Sequence, residues 1–450
     1  MSHNNQITGL GLHKLGKNTT MTLVRQLMAA VLGLGTSVLL ARMLGPDGKG
    51  IFSMVILFPT LIVTFSNLGI SPASVYYLAR KDFSLAHVVR GNIFLGLGIS
   101  GAVIIVSIIF VSFWSSIIFP GIPQGLLFFG IILIPLSIFE SYLISIFQGL
   151  QNFRVYNILN ISPRGVTLVI AAIGLLVFKA EVWVAILANI LGVATGLIIS
   201  LIYLKPYLFS KVRGTALYVK KSIGYGWKAN LSNILAFLNY RVDMFLVNAF
   251  LNPTSVGLYS ISVSIAEKLW MLSQSVSVVL LPRLSELKDD EDIRRKITPL
   301  ISRWVLLVTI LISVVLAVIS PWIIKIFFGE EFNESAVALQ IILPGIVVGS
   351  MSRVIANDIA ARGKPEINMY VSLFTVAVNI VCNIILIPVM GINGAALTTT
   401  ISYSLGGIVK LIIYSRITGI LWHKTIIPTK TDFNLIISLA RSRSKFMHYK

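Results

Sequence analysis

The chain has 450 residues, 56% of them hydrophobic and only 12% charged, and its mean hydropathy is +0.87. Soluble chains carry about 25% charged residues, so a chain this apolar cannot hide its surplus from water and belongs in a membrane; twelve spans at roughly 20 apolar residues each leave no room for a large extramembrane catalytic domain. The net charge of +20 would suit nucleic acid in a soluble protein, but basic residues collect in the cytoplasmic loops of membrane proteins, and no nucleic-acid partner is expected.

In chain order, a polar N-terminus over 1–17 precedes apolar segments at 18–42, 51–78, 91–114, 124–148, 156–178 and 182–204. A basic linker over 205–223 leads to a second set at 224–250, 254–282, 298–320, 336–361, 367–388 and 392–415, and a basic tail covers 416–450. The first segment is too long for a signal-peptide core and reads as a retained helix. The pattern predicts an all-α, polytopic membrane protein of twelve helices, with a six-helix bundle over 18–204 and another over 224–415. With both termini cytoplasmic, the inner connections and termini hold 25 Lys and Arg, and the outer ones hold 4, at Arg42, Lys49, Lys179 and Lys325. That asymmetry is a strong positive-inside signal. Six of the seven tryptophans fall near predicted interfaces, and only Trp270 is mid-segment.

The halves echo each other. Leu44-Gly-Pro-Asp-Gly-Lys-Gly-Ile-Phe-Ser53 joins segments 1 and 2, and Leu251-Asn-Pro-Thr-Ser-Val-Gly-Leu-Tyr-Ser260 joins segments 7 and 8 with the same spacing of Leu, Pro, Gly and Ser. Pro135 and Pro344 occupy similar depths in segments 4 and 10 and can loosen their helices. Two halves in the same order have a transporter's architecture, with a site between them.

Charges inside the segments are the candidate functional residues. Arg25, Arg164, Lys228, Arg241, Lys268, Arg353 and Lys410 face four acids, Glu140, Asp243, Glu267 and Asp358, with Arg303 at the start of segment 9. Each charge would cost about 2.5–3.5 kcal/mol against lipid near the midplane, so most must line a wet cavity, pair, or reach an interface. The basic surplus is poised for an anion, and the guanidinium fork suits phosphate. Segment 7 is the most polar. Lys228, Ser232, Asn239 and Asp243 make one stripe, and Asn230, Arg241 and Asn248 make a second on the opposite side. One stripe should line the cavity and the other should meet a neighbouring helix. Asn230, Asn233 and Asn239 suit sugar hydroxyls. Glu140, Asp243, Glu267 and Asp358 are candidates for charge balance or for coupling to protons or sodium. No phosphate-binding GxxxxGK[ST] loop or HExxH motif occurs, the lone Cys382 forms no thiolate site, and the five histidines lie outside the segments. No cofactor or metal is expected, and the chain reads as a transporter rather than an enzyme.

Two stretches carry a family resemblance. Leu39-Leu-Ala-Arg-Met-Leu-Gly-Pro-Asp-Gly-Lys-Gly-Ile-Phe-Ser53 is followed by Asn67-Leu-Gly-Ile-Ser-Pro-Ala-Ser-Val-Tyr-Tyr77. Asn239-Tyr-Arg-Val-Asp-Met-Phe-Leu-Val-Asn248 is followed by Gly257-Leu-Tyr-Ser260 and Leu280-Leu-Pro-Arg-Leu-Ser285. Both resemble the polysaccharide-export branch, the O-antigen flippases, of the multidrug/oligosaccharidyl-lipid/polysaccharide exporter superfamily. The resemblance implies a MATE-like fold, two six-helix bundles around a central cavity that opens to either side in turn. It implies translocation of an undecaprenyl-pyrophosphate-linked oligosaccharide across the bacterial inner membrane for O-antigen, capsule or exopolysaccharide synthesis. A polysaccharide polymerase and a chain-length regulator are the implied partners. The family's helix-7 run maps onto Tyr240, Arg241 and Asp243, and a helix-1 arginine of the related lipid II flippases onto Arg25. Arg25 is followed here by Gln26 rather than an acid, and two further C-terminal helices are absent, which argues against the lipid II branch. The rival readings are a cation-coupled multidrug exporter of the same superfamily, whose cavity should be acidic or aromatic, and a membrane polysaccharide polymerase, which should carry a long external loop.

Overall fold

In the computed structural model the described residues are 3–208, 210, 212, 214–286, 290–428 and 432, with side chains described from residue 25 onward except at 229, 278, 279, 281–283, 285 and 286. In the basic tail, Leu435–Ala440 is too short to span a membrane and is expected at its surface; it lies outside the described residues. The helices are α1 (His3–Ser66), α2 (Ile70–Ala79), α3 (Leu85–Ile118), α4 (Gln124–Ile131), α5 (Leu133–Gly149), α6 (Phe153–Ala172), α7 (Val182–Leu208), α8 (Thr215–Phe250), α9 (Pro253–Ala266), α10 (Trp270–Glu286), α11 (Glu291–Phe327), α12 (Glu334–Ala361), α13 (Pro365–Met390), α14 (Ile392–Thr418) and α15 (Trp422–Ile426). The twelve predicted segments lie mostly on helix, with 51–78 interrupted between α1 and α2, 124–148 between α4 and α5, and 254–282 by a 3₁₀ turn at Glu267–Leu269. Among the described residues, nine helices are long and apolar enough to cross a membrane. Of the rest, α8 carries Lys220, Lys221, Lys228, Arg241 and Asp243 along its length, and α9 and α10 are short.

Local sequence explains where the helices break. Within α1 only Gly45 leaves helical geometry, at φ 65°, a conformation glycine adopts without strain; with Pro46 it separates the first two segments. The residue four before Pro135 is Ile131, whose carbonyl the proline cannot satisfy, and the chain breaks there, between α4 and α5. The matching Pro344 does not break α12. That helix runs through it, held against α14 where Thr400 Oγ1 donates to the Ile341 carbonyl (2.5 Å).

The chain divides into two compact units. Unit 1 is Met1–Ile261 with Ile326–Phe332, and unit 2 is Ser262–Lys325 with Asn333–Lys450. In unit 1 the core gathers Val88, Val89, Leu143, Ile146, Leu159 and Tyr218. A buried polar knot sits beside it: Tyr218 Oη donates to Asn92 Oδ1 (2.8 Å), and Asn92 Nδ2 donates to Ser74 Oγ (3.0 Å) and to the Tyr142 carbonyl (3.2 Å). Such bonds tie helices where burial of apolar area supplies little drive. In unit 2, α12 packs chiefly on α14 and α10, with Ile355, Ile359, Leu411 and Tyr414 at one centre. Large apolar side chains point outward in both units, with Phe178 73% and Val389 80% exposed, as lipid-facing surfaces require.

The two echoing connections meet within unit 1. A Cβ on Gly50 would collide with the Pro253 carbonyl, and one on Gly257 with the Pro46 carbonyl. Asp47 Oδ1 accepts from Thr254 Oγ1 (3.2 Å). The Gly50–Pro253 and Gly257–Pro46 contacts are equivalent under exchange of the two motifs, and Asp47 meets Thr254, its own equivalent, as a local two-fold arrangement demands.

Candidate functional site

Unit 1 groups three of the predicted residues. Arg25 of α1 lays its guanidinium 5.5 Å from the Tyr156 ring centre, and its Nε is buried without a hydrogen-bond partner among the described residues. Arg164 of α6 feels the charges of both Arg25 and the Glu140 carboxylate of α5. On α7, Gly196 makes room for that carboxylate, since a Cβ there would lie 2.6 Å from Glu140 Oε1. Pro163 precedes Arg164, and its own carbonyl takes a bond from Thr167 Oγ1 (2.9 Å). Arg164 thus lies within electrostatic reach of a second guanidinium on α1 and of a carboxylate on α5, two cations and one acid with residual positive charge.

The α8 residues divide by role. Lys228 is exposed, its Nζ 5.8 Å from the Trp227 ring centre, and Ser232 and Asn233 are exposed with it. Asn230, a candidate for sugar hydroxyls, donates its amide to the Thr64 carbonyl (3.3 Å) and the Phe65 carbonyl (3.5 Å) in the last turn of α1, where helix carbonyls lack intrahelical donors. Asn248 likewise reaches the Pro120 carbonyl (3.4 Å). The stripe through Asn230 and Asn248 is therefore the one that grips neighbours, with Arg241 half-buried between them, its Nη1 on the Tyr240 carbonyl (2.9 Å). Asn239 keeps a buried Oδ1 with no hydrogen-bond partner among the described residues. Asp243, 2% exposed, accepts from Tyr259 Oη (2.6 Å) and from the Met244 amide (2.8 Å), a locked position rather than an open one.

In unit 2, Arg353 of α12 sits 4.2 Å from the centre of the Trp270 ring, which is buried against Tyr403 at 5.2 Å. Lys410 of α14 feels the Arg353 charge. Glu267 and Lys268 lie in a 3₁₀ turn immediately before Trp270. Asp358 is elsewhere. Fully buried, it accepts from Arg294 Nη2 (3.0 Å) and Arg362 Nε (2.8 Å), and Arg362 Nη1 also donates to both oxygens of Glu291 (2.8 and 2.9 Å). Burial alone would lower the Arg362 guanidinium, but Glu291 and Asp358 hold it above its ordinary value. With Arg295 Nε also donating to Glu291 (3.2 Å), three arginines and two acids form one network, in which Asp358 Oδ1 takes both of its arginines and Oδ2 stays buried without a hydrogen-bond partner among the described residues. Arg303, at the start of segment 9, grips Asp432 through two bonds of 2.7 Å and donates to the Lys424 carbonyl.

Sequence reading missed Arg294 and Trp270 as partners. Arg294 lies between the predicted segments 254–282 and 298–320, yet Arg294, Thr298, Ser302, Val305 and Thr309 form one buried face of α11, a helical spacing visible in the sequence. Trp270 carried its own signal as the lone tryptophan away from the interface belt. Among the described residues no group of three His, Cys, Asp or Glu could hold a metal.

A family model described as "Polysaccharide biosynthesis protein" matches residues 15–288, and one described as "MatE" matches 229–385. The chain is 21% identical to the "Putative O-antigen transporter" of Shigella flexneri over 420 residues, covering 90% of this chain and 98% of that one. It is 26% identical to the "Capsular polysaccharide biosynthesis protein CapF" of Staphylococcus aureus over 191 residues, 41% of this chain and 48% of that one. In fold it is similar to the lipid II flippase MurJ, at a TM-score of 0.71, 17% identity and coverage of 87% of this chain and 86% of that one. It is also similar to a multidrug resistance MATE family transporter, at a TM-score of 0.69, 13% identity and coverage of 87% and 94%. The all-helical, multi-pass fold is thus that of these transporters, and the chain belongs to the polysaccharide biosynthesis protein family, as a polysaccharide-related flippase and not an enzyme.

Proposed function

We propose that the protein carries an undecaprenyl-pyrophosphate-linked oligosaccharide across the bacterial cytoplasmic membrane, with both termini cytoplasmic, in O-antigen, capsule or exopolysaccharide assembly. The observation that carries this reading is Arg164, close enough to feel both a second guanidinium, Arg25, and the carboxylate of Glu140 inside an apolar bundle. A pyrophosphate would replace the hydration these cations lack, through bidentate hydrogen bonds strengthened by low dielectric. The relatives' names, a transporter of O-antigen and a capsular polysaccharide protein, support the substrate class. Arg353, seated on Trp270 with Lys410 beside it, would supply the matching cationic site of unit 2, and Lys228, Asn239 and Arg241 contacts to the headgroup. Glu140 would balance charge between transport steps and is our assignment for coupling to protons or sodium; Glu267 is a second candidate. The polyprenyl tail would stay in the bilayer while the halves 18–204 and 224–415 alternate in access, with flexure at Gly45-Pro46 and at the α4–α5 break.

The test is complementation of a bacterial strain lacking its own repeat-unit flippase. The wild-type chain should restore surface glycan, and the double variant Arg25→Gln with Arg164→Gln should insert normally and fail to do so. Full surface glycan in the double variant would contradict the site. A gain of resistance to cationic dyes with no glycan would favour the drug-exporter reading, to which the MatE match lends support.

A further inference from the structure

Away from both clusters, unit 1 holds a cavity of about 580 Å³ lined by Arg90, Phe94 and Leu97 of α3, Leu208 at the end of α7, and Thr215 and Lys220 of α8, among others. On α3, Arg90, Phe94 and Leu97 fall at positions i, i+4 and i+7, one stripe over two turns. The stripe is cationic at one end and apolar at the other, with Phe94 70% and Leu97 63% exposed, so the apolar end opens toward lipid. The cationic end is fixed in place. Arg90 Nη1 donates to the Ser210 carbonyl (2.7 Å), and α8 is clamped to α3 by the Tyr218–Asn92–Ser74 knot. Thr215 Oγ1 is buried without a hydrogen-bond partner among the described residues. Thr215 opens α8, and its N-cap Gly214 offers no side-chain cap, so the positive end of the helix is bare there. No acid lines the cavity, and none occurs in 85–118 or in 205–223.

We infer that this cavity binds one anionic phospholipid, its phosphodiester between Arg90, Lys220 and the first turn of α8, and an acyl chain along Phe94 and Leu97. A basic pocket between membrane helices takes a lipid headgroup, and the volume, inside the range of about 300–1,000 Å³ for small-ligand sites, holds a headgroup and the upper part of a chain. A zwitterionic lipid would bring its own cation against Arg90 and Lys220 and lose the advantage. The assignment rests on these residues alone and not on the function proposed above.

The test uses the purified full chain in neutral detergent, titrated with phosphatidylglycerol or with phosphatidylcholine of the same acyl chains, with bound lipid counted by native mass spectrometry. Phosphatidylglycerol should be retained and phosphatidylcholine should not. Arg90→Gln with Lys220→Gln should weaken the retained lipid about thirtyfold, the worth of two basic residues at an anionic membrane surface. The single variant Lys220→Gln, on an exposed residue, guards against misfolding and should weaken it about fivefold. Equal retention of the two lipids, or unchanged retention by both variants, would overturn the inference. So would displacement of phosphatidylglycerol by an equimolar amount of undecaprenyl phosphate, which would give the cavity to the transported lipid. Flipping is not read, so the outcome stands apart from that of the complementation test.

Discussion

The Asp358 network gives the sharpest energetic prediction. Asp358→Asn keeps the volume of the side chain and removes its charge. Arg294, whose side chain is 4% exposed, then loses its ion-pair partner, whereas Arg362 keeps Glu291. Removing one member of a buried pair leaves the other as an uncompensated charge and costs about 3–5 kcal/mol. Arg362→Gln should cost less, about 1–3 kcal/mol, because Glu291 is 39% exposed and turns to water. The double variant Arg294→Met with Asp358→Leu removes both charges and should recover most of the loss, as apolar replacements of buried pairs do. Denaturant unfolding of the purified protein in mixed micelles measures all three, and adding the single variants Arg294→Met and Asp358→Leu completes the double-mutant cycle that isolates the coupling. Asp358→Asn that unfolds like the wild type but no longer supports glycan export would refute the reasoning, because Asp358 would then act in transport and not in holding unit 2 together.

Tyr259→Phe should destabilise unit 1 by about 1.5–3 kcal/mol, since it strips the 2.6 Å donor from a carboxylate that is almost wholly buried; the same unfolding assay reads it. Cysteines at 47 and 254, replacing two side chains joined at 3.2 Å, should form a disulfide on oxidation that blocks glycan export until reductant is added; undiminished export by the oxidised protein would separate this contact from the transport cycle. Gly196→Val should lower export more than tenfold by driving into Glu140, with normal membrane levels on immunoblots. Arg353→Lys keeps the charge but loses the planar stacking on Trp270, and export should fall severalfold, with Arg353→Gln lower still.

How much the sequence disclosed depended on the range of the interaction. The twelve segments were legible because apolar length is a local property, and the Gly45-Pro46 break because two adjacent residues dictate it. Pro135 and Pro344 looked alike in the sequence, yet only the first interrupts its helix. Thr400 of α14, 56 positions beyond Pro344, binds the Ile341 carbonyl in the turn before it, a contact that the local sequence does not display. Likewise Asn230 could be placed on a polar stripe, but whether its amide meets sugar or the end of α1 is decided by a residue over 160 positions away. Arg25, Arg164 and Glu140 were each singled out by the cost of their charges in lipid, though their grouping was not visible. Ser74, Asn92 and Tyr218 drew no notice, because isolated polar side chains in apolar runs acquire meaning only once their helices pack.

The most direct measurement is translocation itself. Purified protein in liposomes, loaded with a fluorescent undecaprenyl-pyrophosphate oligosaccharide in one leaflet, should expose the label to a membrane-impermeant quencher at a rate at least tenfold above protein-free liposomes. The Arg25→Gln, Arg164→Gln double variant should match the protein-free rate. Equal rates for the wild type and the double variant, or movement of an uncharged polyprenyl glycoside as fast as the pyrophosphate, would contradict a cationic site that selects its cargo by phosphate.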